Sequence, residues 1–136
     1  MSTIFTKIIE REIPAQFIYE DDICIAIMDK FPAVNGQSLV IPKKEVDYVF
    51  ELDEETYHHI FNIAKKVAKA SDEAFATLRT CLIVEGFEIP HVHIKLYPMT
   101  ASDKSVGSVS REVSERSDEE LEVAAEKIRT SLVNLS

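Results

Sequence analysis

Three apolar, β-branched runs follow one another early in this chain with no helix between them: QFIYE at 16–20, DICIAIMD at 22–29 and SLVIP at 38–42. Strands joined by short turns pair as antiparallel neighbours, because a parallel pair needs a long crossover. Asp21 and Asp22 separate the first two runs and predict a hairpin, and FPAVNGQ (31–37) is a turn-rich loop in which Gly36 supplies a turn conformation. Two more runs come late: TCLIVEGFEI at 80–89, ending near Gly86, and HVHIKLY at 91–97, closed by Pro98. Helical spacing appears in three places. Phe5, Ile8 and Ile9 mark a short helix over 3–11, halted by Pro14. Asp53 is a good N-cap for a long helix whose stripe is Tyr57, Ile60, Phe61, Ala64, Val67 and Ala68, running on toward Phe75. Ser117 and Glu120 form a capping box for a last helix with Leu121, Ala124, Ala125, Ile128 and Leu132 on one face. The expected fold class is α+β: an antiparallel five-stranded sheet with one long helix, a short N-terminal helix and a C-terminal helix. One domain is expected over 1–136, with its core at about 4–98, a Ser- and charge-rich loop at 99–116 and the final helix at 117–135.

The run at 91–97 also carries the chemistry. Strand alternation puts His91, His93, Lys95 and Tyr97 on one side and Val92, Ile94 and Leu96 on the other. Two imidazoles, an ammonium and a phenol in a row can hold a polyanion beside a nucleophile that works near neutral pH. Three readings are open: catalysis by His93, a zinc site built on the two histidines, or a solvated outer sheet face. The zinc reading needs further ligands, and none stands at an obvious spacing. His58 and His59 read as solvated flanks of the long helix. Lys43 and Lys44 could meet phosphate or lie in an ordinary solvated turn. Asp29 could accept hydrogen bonds from ribose hydroxyls or simply cap a turn.

Acidic residues outnumber basic ones 24 to 15, for a net charge of -9, which argues against general binding to nucleic acid or an anionic membrane. Cys24 and Cys81 lie inside strand-like runs without paired spacing and read as buried thiols in a reducing compartment. No apolar stretch approaches a membrane span and no signal peptide is visible, so a cytoplasmic location is expected.

Beyond PHVHIKL, the opening IFTKIIEREIPA and the segment IAIMDKFPAVNGQSLVIPKKEVD are distinctive. Together they resemble the histidine-triad (HIT) family, whose motif is His-φ-His-φ-His-φ-φ with φ apolar; the resemblance covers about residues 4–98 in order. It implies a HIT-like fold, a homodimer that joins two sheets into one, and a purine nucleotide pocket. It also implies cleavage at the α-phosphate of a nucleoside phosphoramidate or dinucleotide-type substrate through a covalent nucleotidyl-histidine. By that resemblance His93 is the nucleophile, His91 orients it, Asp29 binds the ribose hydroxyls and Ile27 forms an apolar wall of the base pocket. No cofactor is implied.

Several positions depart from the family pattern. The third motif histidine is Lys95, which can neutralise a phosphate oxygen but shuttles protons poorly near neutrality. An upstream histidine is replaced by Gln37, which donates a hydrogen bond and cannot titrate. The phosphate loop is shortened to EGFEIP, with Glu88 where a carboxylate would repel phosphate unless paired or turned away. Thr3 and Thr6 replace the Cys-x-x-Cys of relatives that hold a structural zinc, so no metal is expected. A nucleotide-binding module with weak or no turnover is therefore the alternative to the hydrolase or transferase.

Overall fold

The computed structural model describes residues 2–109 and 113–135. Helix α1 (Ile4–Ile9) leads into strands β1 (Phe17–Glu20), β2 (Cys24–Met28) and β3 (Ser38–Pro42). A 3-10 turn at Val49–Glu51 precedes α2 (Glu54–Phe75), followed by β4 (Arg79–Ile83), β5 (Ile94–Met99), the single turn α3 (Val106–Val109) and α4 (Asp118–Leu135). The five strands form one antiparallel sheet in the order β1-β2-β3-β5-β4. The expected α+β class with its antiparallel five-stranded sheet holds, with α3 as an addition.

The caps follow local chemistry. Asp53 Oδ2 accepts the Thr56 N–H at the start of α2. At α4 the Ser117 hydroxyl accepts the Glu120 N–H and donates to the Glu120 carboxylate. Helix α1 stops earlier than Pro14, because Arg11 adopts a left-handed backbone (φ 65°) that breaks the helical run.

Strand alternation divides the sheet between two cores. Ile18, Cys24, Ala26, Met28, Val40, Ile94 and Leu96 pack under α2 and α4. On the opposite face Ile25, Ile27, Leu39 and Ile41 pack against Phe5 and Ile8 of α1. Because helices cover both faces, β2 and β3 are buried at every position, which explains their almost unbroken apolar runs.

Two strands differ from the sequence expectation. Strand β4 stops at Ile83, well before Gly86, whose φ of +84° turns the chain. Strand β5 begins at Ile94, so His91 and His93 lie just before it, and it runs through Pro98 to Met99. The backbone bonds give the cause: the His91 N–H bonds to the Ile89 carbonyl and the Val92 N–H to the distant Val46 carbonyl, so neither joins the ladder. Pro98 is tolerated because β3 covers β5 only over Ile94–Leu96, leaving Pro98 a partner on the β4 side alone. The loop expected over 99–116 contains the end of β5 and the turn α3; its residues 110–112 lie outside the described ones.

Gly36 fixes the β2–β3 loop against the end of α2. Its φ is +82°, and a Cβ added there would sit 2.4 Å from a Phe75 ring carbon. Gly36→Ala is expected to destabilise the protein by about 1–3 kcal/mol, from left-handed backbone strain plus overpacking. Chemical denaturation of the two proteins measures it; an unchanged midpoint would mean that the loop is not held by this contact.

Candidate active site

The face covered by α1 carries the residues the sequence singles out. Pairing registers Ile27 with Leu39, Leu39 with Lys95 and Lys95 with Ile83, so one row crosses four strands. Asp29 and Gln37 lie one step beyond that row at the mouth of the β2–β3 loop. His93 and His91 lie on its other side, against Phe5 of α1.

The histidines are not on a solvated face. His91 is 0% exposed and His93 7%. The Phe5 ring stands edge-on to His91 at 5.7 Å and tilted against His93 at 4.9 Å. Tyr97, expected in the same open row, is also buried. The packing of helix α1 over the histidine end of the sheet, which the sequence pattern does not signal, is what closes this face.

Hydrogen bonds define both imidazoles. A carbonyl can only accept, so His93 Nδ1–H donates to the His91 carbonyl at 2.8 Å and leaves the Nε2 lone pair available. By the same logic His91 Nε2–H donates to the Pro42 carbonyl at 2.8 Å, and the Thr3 hydroxyl donates to His91 Nδ1 at 2.7 Å. Burial lowers the pKa of both rings; at His93 the backbone bond opposes it, while the Lys95 charge adds to the lowering. Both are neutral at pH 7.

That has a measurable consequence for stability. The unfolded chain protonates His91 and His93 near pH 6.5, the native protein only at lower pH. The unfolded state therefore binds more protons in that window, so stability is complete above about pH 6.5 and declines as pH falls toward the lowered native values. The melting temperature is expected to fall between pH 7.5 and 5.5. His91→Gln, which cannot titrate, should start lower and show a flatter profile. A melting temperature independent of pH over that range would contradict the buried neutral assignment.

Lys95 is engaged. Its ammonium lies 3.0 Å from Glu85 Oε1. Burial works to lower the lysine pKa, but the Glu85 bond and the charges of Tyr97, Glu85 and Asp29 outweigh it and the net shift is upward. The carboxylate paired with Lys95 is Glu85, on which the sequence pattern gives no signal; Glu85 and Glu88 are both exposed. Glu85, Gly86, Phe87, Glu88 and Ile89, with His93 and Lys95, line an open cavity of about 180 Å³.

Asp29 and Gln37 form a clasp across the loop. Gln37 Nε2 donates to Asp29 Oδ2 at 2.8 Å, Phe31 N–H donates to Asp29 Oδ1 at 2.9 Å, and Gln37 Oε1 accepts the Ala33 N–H at 2.7 Å. Each Asp29 oxygen retains a lone pair for a further donor. Ile27 is only 2% exposed and lies beneath α1. Lys43 and Lys44 turn elsewhere, to Glu20 and Asp53, each at 2.9 Å. His58 pairs with Glu54 on the helix surface, as a solvated flank should. His59 does not fit that reading: it meets Asp21, 38 positions away, at 2.6 Å.

At the N-terminus, Thr3 and Thr6 face His91 and Glu45. Glu45 Oε1 accepts from the Thr3 N–H at 2.9 Å and the Thr6 hydroxyl at 2.7 Å. These residues do not fit a structural zinc: the two thiolates such a site needs are neutral hydroxyls, already spent in hydrogen bonds to His91 (Thr3) and Glu45 (Thr6).

A HIT domain model matches residues 10–100. An adenosine 5'-monophosphoramidase of Schizosaccharomyces pombe is 32% identical over 108 residues, covering 79% of this chain and 81% of its own length. A HIT-like protein of Methanocaldococcus jannaschii is 35% identical over 107 residues, covering 76% and 83%. Among solved structures, a histidine triad nucleotide-binding protein from Sulfolobus tokodaii superposes with a TM-score of 0.86 at 32% identity, over 97% of this chain and 93% of that one. A HIT-like protein from Bartonella henselae gives 0.85 at 31% identity, over 96% of each. With the domain model over residues 10–100, the relative at 35% identity and the superposed structures in agreement, the chain belongs to the HIT family.

Proposed function

We propose that this protein is a purine nucleotide hydrolase or transferase that cleaves a nucleoside phosphoramidate or dinucleotide-type substrate at the α-phosphate through a nucleotide held covalently on His93. The observation that supports it most is the tautomer of His93, whose Nδ1–H bond to the His91 carbonyl leaves a neutral Nε2 lone pair on a side chain that lines the cavity. Nε2 bonds to phosphorus as the bond to the leaving nitrogen or oxygen breaks, a basic leaving group taking a proton from water, and the positive charge that develops on the ring is carried by the Nδ1–H···O=C bond. Water then attacks the phosphorus and the imidazole departs. His91 orients His93 through its backbone carbonyl. Lys95 neutralises the phosphoryl oxygens once Glu85 gives way, and Asp29, steadied by Gln37, accepts the ribose hydroxyls. Ile27, under α1, backs the base.

One observation favours the alternative of binding with weak turnover. Lys95 is held charged by Glu85 and Gln37 is committed to the loop clasp, so neither offers a proton to a leaving group. Incubation with adenosine 5'-phosphoramidate and a chelator separates the readings. Release of AMP with an adenylyl adduct on the protein supports the enzyme; tight binding with neither supports the module.

The assembly proposed is a homodimer. Among the described residues strand β4 pairs only with β5, and Leu82 on it and Leu78 beside it are exposed, so joining two copies there removes an open edge. Light scattering is expected to give twice the chain mass, and a monomer at all concentrations would refute it. Two unbridged thiols, Cys24 and Cys81, three strands apart in the sheet, suit the cytoplasm. No helix among the described residues is long and apolar enough to cross a membrane.

A further inference from the structure

On the sheet face opposite His93, three side chains from separate positions converge: Asp21 from the β1–β2 turn, Cys24 from the start of β2 and His59 from α2. The Asp21 carboxylate oxygen, Cys24 Sγ and a His59 ring nitrogen all lie within 4.8 Å of one another. We propose that these three residues form a binding site for a single zinc-like divalent cation, completed by one water.

The turn is built like a metal knuckle. Asp21 and Cys24 stand three apart, the spacing of paired ligands in many zinc sites. Asp21 Oδ1 is fixed by the N–H groups of Ile23 at 2.8 Å and Cys24 at 2.9 Å. Its other oxygen, Oδ2, accepts from the Tyr19 hydroxyl at 2.7 Å and from His59 at 2.6 Å. A cation enters by parting His59 from Oδ2, a movement of about 1 Å given ligand bonds of about 2.0–2.3 Å. The route is open, since the His59 side chain is 30% exposed and that of Asp21 23%.

Charge and ligand type agree. One thiolate and one carboxylate neutralise a dication and the imidazole adds nothing, so the loaded site carries no net charge into a partly buried position. Lys43, the nearby cation, is already paired with Glu20 at 2.9 Å. A bound cation would take Cys24 as its thiolate, with the thiol proton released to water. The N-terminal threonines take no part. Only the fold joins His59 to this turn, which is why the sequence pointed to no metal.

The site stitches the β1–β2 turn to α2 on the side away from the cavity, so its effect is on stability and not on the chemistry at His93. The test is a Co(II) titration of the full protein. We expect one Co(II) per chain, a near-ultraviolet thiolate-to-cobalt band, displacement by Zn(II) and a raised melting temperature. His59→Gln and Cys24→Ala should each weaken binding by more than the 10–100-fold typical of losing an outer partner, Tyr19→Phe should fall within that range, and Cys81→Ser should change nothing. His59→Gln alters a half-exposed side chain, so it reports even if Cys24→Ala fails to fold. Absence of the band, or its survival in His59→Gln, overturns the proposal.

Discussion

Replacement of His93 by alanine is expected to abolish the covalent nucleotidyl protein and reduce turnover by at least about 10³-fold, while leaving the fold assembled. Removing a nucleophile removes the route through the intermediate, and the rest of the site then accelerates the reaction little. Binding should survive, because Asp29 and Lys95 remain. The pH profile of the native protein belongs to the same prediction. Burial lowers the His93 pKa, so formation of the adduct should stay constant as pH drops through 6.5 and decline only below. Mass spectrometry of the adduct and rapid-quench kinetics measure both. Full turnover by His93→Ala would remove the nucleophile assignment.

Lys95→His should selectively accelerate substrates with poor leaving groups, by roughly the 10²–10⁴-fold that a positioned general acid provides. The native lysine keeps its proton, because the Glu85 bond outweighs the effect of burial. Good leaving groups need no proton and are expected to be the better substrates of the native protein, little affected by the change. Lys95→Ala should mainly weaken nucleotide binding. A uniform small gain for every leaving group in Lys95→His would reduce Lys95 to a phosphate clamp. Glu85→Gln sharpens the comparison, since it frees the ammonium and should tighten binding.

What the sequence made legible was local. Asp53 and Ser117 cap their helices with side chains that reach only three residues, and the alternation in β2, β3 and β5 divides the faces as the pattern requires. What it hid depended on distance. The shift of β5 to Ile94 comes from a backbone bond to Val46, and the burial of His91 and His93 comes from Phe5 at the other end of the chain. Glu85 was passed over for Glu88 because the turn at Gly86 decides which carboxylate faces Lys95. His59 gave no signal at all until α2 was laid across the β1–β2 turn.

The pairing of β3 with β5 has a kinetic meaning. Strands β1, β2 and β3 meet through short turns and can pair as soon as they are made. Residues 94–96 must wait for the whole of α2 and β4 before they can dock on 38–40. Such non-local closure is the slow step in building a sheet, since chain entropy is lost before contacts repay it. The cavity around His93 thus comes into being late, when the last inner strand slots between its neighbours. A ligand that binds only the completed cavity would draw the whole chain toward its native form by mass action, which makes a melting curve a direct gauge of binding.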